Sequence, residues 1–167
     1  FIENIQIDQI SKFDVINLSF VLEHLIDPSK VIDLAKKILK KRGIISIEVP
    51  NDFNFLQNIY TKDKNIKYWI SYPDHINYFN VFSLEHFLKK FGFKILHKYS
   101  SFPLEMFLLM DIDYIKNNKK NGSKIHTFRK NFEFKFKKQE ENLLKIYENF
   151  AKINLGREVT IIAQKLN

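Results

Sequence analysis

The chain has 167 residues, 45% hydrophobic and 28% charged, with few glycines or prolines and no cysteine. That suffices for one folded core and excludes disulfides and thiolate metal sites. No apolar run approaches the ~18 residues that cross a bilayer, and the net charge of +8 raises the question of a polyanionic partner.

That charge is local. Between Lys116 and Lys138 nine Lys or Arg residues face one acid, Glu133, while the rest of the chain balances at 18 of each sign. A solvated basic loop and helix start is one reading; attraction of an anionic substrate is another. The basic groups are overwhelmingly Lys, with only Arg42, Arg129 and Arg157, and planar bidentate contacts to phosphates and bases favour Arg. Nucleic acid is therefore not the expected partner. The chain opens on Phe1, not Met, and we expect it to be part of a longer, cytoplasmic protein without a membrane span.

In chain order, "FDVINLSF" (13–20) is a short apolar run suited to a strand covered on both faces. Asp27 sits at an N-cap position and Pro28 at the first helical one. Val31, Leu34, Ala35, Ile38 and Leu39 repeat at helical spacing, Lys36, Lys37, Lys40 and Lys41 crowd the helix end, and Gly43 is the expected stop. "IISIEV" (44–49) reads as a second buried strand, closed by Pro50. Strand, helix and strand with short joints form a βαβ unit, hence a parallel pair. A short helix is expected near Phe53 to Tyr60. Ser83 can cap a helix carrying Leu84, Phe87, Leu88 and Phe91, ended by Gly92, and "FKILHKY" (93–99) alternates as a strand. Residues 101–155 interrupt the rhythm with an apolar segment (Leu104 to Ile115), the basic loop, and a helix with Leu143, Leu144, Tyr147, Phe150 and Ala151 on one face. "REVTIIAQK" (157–165) is the last strand.

Taken together, "FDVINLSFVLEHLIDP", "LKKRGIISIEVPN" and "DHINYFNVFSLEHFLKKFGFKIL" resemble class I S-adenosylmethionine-dependent methyltransferases, in particular the group with ubiquinone-type and bacterial sugar methyltransferases. The resemblance spans roughly residues 13–100. More loosely, "SFPLEMFLLMDIDYI" and "LGREVTIIAQK" look like the C-terminal region of methyltransferases from bacterial polysaccharide clusters. The resemblance implies an α/β fold, the C-terminal portion of a Rossmann-like sheet. Its strands would be the family's fourth, fifth, sixth and seventh, in the order 4-5-7-6, with the last one antiparallel. The expected organisation is a single domain over 1–167: an α/β core at 1–100, a helical insertion at 101–155 and the final strand at 156–167. The family holds its cofactor, S-adenosylmethionine, mainly through an earlier strand, a Gly-rich turn and an acidic residue, because glycines admit the ligand to the backbone and a carboxylate accepts from ribose hydroxyls. The four glycines here, at 43, 92, 122 and 156, are scattered. The chain is thus expected to be the C-terminal part of a methyltransferase that does not bind the cofactor well alone.

Open parallel sheets bind ligands beyond the carboxyl ends of their strands. Leu18, Ser19 and Phe20 reach that edge and are candidates to touch S-adenosylmethionine, or they merely end a core strand. Glu23 and His24 either face the methyl-transfer site or are solvated residues of a helix approach. Small-RNA 2′-O-methyltransferases bind a divalent cation through a Glu-x-x-Glu-His pattern; here Phe20 replaces the first Glu. One carboxylate and one imidazole hold a hard cation weakly, so no metal is expected. In "SYPDHINYF", His75 occupies a loop where family members carry a His beside the acceptor, and an imidazole suits the removal of a hydroxyl proton; a backbone-bonded loop His is the alternative. Tyr72, Asp74 and Tyr78 are candidates to orient His75 or hold substrate. Trp69 is either a stacking wall or core filler. The reading is a methyltransferase acting on a small acceptor, anionic or a sugar of a surface polysaccharide or its precursor. The alternatives are a non-catalytic methyltransferase-like binding module and a nucleic-acid methyltransferase.

Overall fold

The computed structural model describes residues 12–166; the expected α/β core begins in residues 1–11, which lie outside the described ones. Four strands, β1 (Phe13–Ser19), β2 (Leu39–Pro50), β3 (Phe93–Ser100) and β4 (Glu158–Lys165), form one sheet in the order β1-β2-β4-β3. β1 and β2 are parallel, from Val15↔Ile44 to Ser19↔Glu48. β4 runs antiparallel to both β2 and β3, so β1, β2 and β3 share a direction and end at one edge. This is the 4-5-7-6 order with an antiparallel last strand. It places Ser19, Pro50 and Ser100 along a single carboxyl edge, with Glu158 opposite Pro50.

Helix α1 (Pro28–Ile38) starts as its sequence dictates: the Asp27 side chain accepts from Ser29 N and Lys30 N, and Pro28 takes the first position. Its end differs from expectation. The helix stops at Ile38 and β2 begins at Leu39, which pairs with Phe13, so Lys40 to Gly43 belong to the strand. The extra residues bulge between Phe13 and Val15, with Arg42 at φ 59°. Gly43 is no helix stop; an added Cβ there would lie 3.0 Å from Lys40 O.

α2 (Phe55–Lys64) and α3 (Val81–Lys90) are both entered through capping boxes, on Asn54 with Gln57 and on Asn80 with Ser83. Ser83 is therefore the third residue of its box, and Asn80 is the cap. α4 (Glu105–Leu109), a π-helical turn (Asn118–Gly122), α5 (Ser123–Lys135) and α6 (Glu140–Lys152) fill the stretch before β4.

The core gathers Leu22, Ile32, Leu39, Leu84 and Leu88 around the inward row Ile45, Ile47 and Val49 of β2 and Val159, Ile161 and Ala163 of β4. Each fully buried leucine there contributes about 2 kcal/mol. β1 departs from the expected two-sided burial: only Leu18 is buried, and Val15 is 58% exposed. It is one of the two edge strands among the described residues, so no described strand pairs with its outer side.

Candidate functional site

Beyond Ser19 the chain leaves the sheet through Phe20, held at φ 53° with its N–H donating to Glu48 O at 2.9 Å. A left-handed non-glycine residue at a strand end costs on the order of 1–3 kcal/mol, a conformation that clusters at working sites. Ser19 Oγ donates to Glu48 Oε2 at 2.6 Å, and Leu18 is turned into the core. Leu18 therefore has only its backbone to offer a ligand, whereas Ser19 and Phe20 are exposed at the edge.

A single 3-10 turn follows, Leu22–His24, and the loop carrying His75 is stitched to it. Ile76 N and Asn77 N both donate to Glu23 O, at 2.9 and 3.0 Å. The Asn77 amide donates to Leu22 O at 3.1 Å and Leu25 O at 2.6 Å. These bonds bring together side chains some fifty positions apart: the rings of His24 and His75 meet edge-on with centroids 4.9 Å apart. Glu23, His24 and His75 each offer a ligand atom, all within 4.8 Å of one another.

The chemistry of this trio follows from what its atoms lack. Glu23 is 1% exposed, and neither carboxylate oxygen has a hydrogen-bond partner among the described residues. Burial pushes its carboxyl above the ordinary range, and His24 and His75 offset only part of that. His24 Nδ1 lies 2.7 Å from Asp74 O; a carbonyl only accepts, so Nδ1 carries a proton and Nε2, 3.8 Å from Glu23 Oε1, is the nitrogen turned toward the carboxylate. His75 Nδ1 is also buried without a partner. Buried polar atoms are nearly always satisfied, and this cluster leaves a carboxylate and an imidazole nitrogen open. It can accept a proton, or donate three lone pairs to one divalent cation. His75 supplies the third donor that sequence reasoning did not assign to a metal.

Of the other candidates, Asp74 contributes its carbonyl to His24 while its side chain is exposed. Tyr72 is 79% exposed. Tyr78 accepts from Ser71 N at 3.2 Å and abuts Phe53. Trp69 is buried edge-on between Phe53 and Tyr68, with its indole N–H unpartnered, so it is a wall of an aromatic cluster and not a free stacking face.

Sequence reasoning missed two features of the same edge. Asp52 is buried, with Oδ2 unpartnered; burial pushes its pKa to about 7 against the pull of Arg157, helped by the charges of Glu23 and Glu105. Glu105 is wholly buried, and its Oε1 accepts from Tyr68 at 2.9 Å and from Asn54, Gln57 and Arg157 at 3.4 Å. The signal for Asp52 lay in its position, two residues past the end of β2. Glu105 sits inside an apolar segment and carries no local signal.

Residues 2–98 match the model of a family described as a methyltransferase domain. Among solved structures, a SAM-dependent methyltransferase from Archaeoglobus fulgidus is 22% identical over 93% of this chain and 60% of its own, with a TM-score of 0.50. Another, from Thermotoga maritima, is 15% identical over 98% of this chain and 60% of its own, with a TM-score of 0.53. These likenesses concern the fold, and the chain spans 60% of the length of each. No curated protein matches it. A family match across more than half of the residues, on a sheet whose last strand runs antiparallel between the two before it, identifies the chain as a member of the class I methyltransferase family.

Proposed function

We propose that this chain is the C-terminal part of an S-adenosylmethionine-dependent methyltransferase, with residues 1–100 as its α/β core and 101–155 as a helical insertion. Ser19, Phe20 and the Leu18 backbone border the cofactor. A small acceptor, such as a sugar hydroxyl of a surface polysaccharide or its precursor, lies against the loop of Tyr72, Asp74 and Tyr78. Methyl transfer is an in-line displacement at a sulfonium carbon, so the enzyme's work is alignment of donor and acceptor and removal of the acceptor proton. His75 is the base, and the Glu23 carboxylate stabilises the imidazolium that forms. The observation that carries this reading is the convergence of Glu23, His24 and His75, with unpartnered atoms, at the carboxyl edge of β1. The test is methyl transfer by the full-length protein: His75→Ala lowers kcat by about 10²–10⁴-fold with little change in cofactor affinity, and unchanged turnover overturns the assignment.

A second reading rests on the same three lone pairs within 4.8 Å. Glu23, His24 and His75 would hold one divalent cation, with two imidazoles favouring a transition metal over Mg²⁺; bound there, it would supply a Lewis acid to the acceptor oxygen. Chelation separates the two. Turnover that survives EDTA leaves His75 as a base, and turnover lost to EDTA and restored by added metal assigns the trio to the cation.

A further inference from the structure

The basic segment belongs to none of this. Its single acid, Glu133, accepts from Arg129 at 3.2 Å and from Tyr147 at 2.8 Å, so acid and arginine cancel. Eight lysines remain between Lys116 and Lys138, equal in number to the net charge of the whole chain. All eight are exposed, and none makes an ion pair among the described residues.

Helix α5 arranges part of this charge around aromatic rings. One stripe anchors it: Ile125 is buried, and Phe132 packs on Phe102 with ring centroids 5.3 Å apart. On another face Lys124, Phe128, Asn131 and Lys135 recur at successive turns. Phe134 stands beside that face 69% exposed, and Phe128 is 40% exposed. Lys124 Nζ lies over the Phe128 ring, 5.6 Å from its centroid, and Lys137 Nζ over that of Phe134 at 5.4 Å, so ammonium groups and phenyl rings share one surface. The neighbouring α6 packs on β3, at the opposite edge of the sheet from β1.

We propose that this face of α5 docks on anionic lipid bilayers, with acidic headgroups around the lysines and Phe134 and Phe128 entering the headgroup boundary. Compact, flexible point charges suit a fluid array of headgroups, whereas nucleic-acid reading favours planar Arg forks, and the one Arg here is occupied. Exposed phenyl rings between the lysines supply the apolar contact that interfacial binding also needs. The inference is independent of the methyl-transfer reading.

The test is co-sedimentation of the full-length protein with phosphatidylcholine vesicles, with and without phosphatidylserine, at low and high salt. The expected result is binding to the acidic vesicles alone, released by salt. Lys135→Glu, Lys137→Glu and Lys138→Glu together weaken it about a hundredfold, and Phe134→Ser weakens it severalfold. Both variants keep the wild-type melting temperature, because the altered side chains are exposed. Absence of binding to acidic vesicles, equal binding to neutral ones, or wild-type affinity in Phe134→Ser overturns the proposal. So does tighter binding of a single-stranded oligonucleotide than of acidic vesicles, which assigns the face to nucleic acid.

Discussion

Two buried glutamates lie beyond the carboxyl edge of one sheet and are treated in opposite ways. Glu105 is wholly enclosed, and four donors from three segments converge on one of its oxygens: Asn54 and Gln57 at the start of α2, Tyr68 after it, and Arg157 before β4. Glu23 is as deeply enclosed, yet no donor reaches either oxygen, and its nearest polar neighbours are two imidazoles. A buried charge without partners is unfavourable unless something else is gained. Glu105 ties the segments after β2 and β3 to the start of β4 through Oε1, although its Oε2 is unpartnered too, whereas neither oxygen of Glu23 is engaged, which fits its proposed part beside His75.

The sharpest way to break this contrast is to remove each carboxylate in turn. Glu105→Ala takes the acceptor from the Gln57 amide, the Tyr68 hydroxyl and the part-buried Arg157 and is expected to destabilise the fold by about 2–4 kcal/mol, read by denaturant unfolding. Glu23→Gln removes an unpaired buried charge, so its stability at neutral pH is expected to equal or exceed that of the parent. Its methyl-transfer rate falls by about 100-fold or more, because the imidazolium of His75 loses its counter-charge. Equal destabilisation by the two changes would show Glu23 to be a structural residue.

Asp52 stands between these extremes and sharpens the comparison through pH. Its folded pKa is raised from 3.8 to about 7, chiefly by burial. Between those values the native state binds more protons than the unfolded chain, so stability from this group declines as pH rises through the window. The penalty is absent below 3.8 and complete above 7. Asp52→Asn removes it. The variant is expected to gain on the order of 2–4 kcal/mol over the parent at pH 8 and nothing at pH 3.5, measured by denaturant unfolding at both. A gain independent of pH would mean that the carboxyl is not the group that titrates.

Much of this architecture was legible because it rests on short-range chemistry. Asp27-Pro28 fixes the start of α1, alternation marks β3 and β4, and the βαβ spacing gives the parallel pair. Where reading failed, a distant partner overrode a local signal. Lys40 and Lys41 look like the cations that end a helix, but Leu39 pairs with Phe13 and draws them into β2. The apolar run of β1 suggests two-sided cover, yet burial depends on neighbours outside the run. The site divides in the same way. Glu23, His24 and His75 could be picked by residue type and position, but their meeting depends on Asn77, whose two carbonyl acceptors lie more than fifty residues upstream. No periodicity encodes that bond.

Asn77 consequently gives the mildest and most discriminating change. Its amide joins the His75 loop to Leu22 and Leu25, and it does nothing else that bears on the fold. Asn77→Ala leaves the main-chain bonds to Glu23 O intact and is expected to lower stability by only about 1–2 kcal/mol, since Leu22 O keeps the Leu25 N–H and one carbonyl, that of Leu25, loses its amide partner. If the trio works by position, the rate should respond out of proportion. A misplacement of the order of 1 Å costs about 100-fold in a reaction governed by alignment, so kcat falls while the melting temperature barely moves. Asn77→Asp keeps the shape but cannot donate, and should reproduce the loss; Asn77→Gln keeps the donor on a longer arm and should recover part of it. Turnover that merely follows stability across the three variants would reduce the loop to a scaffold and leave His75 without a part in the chemistry.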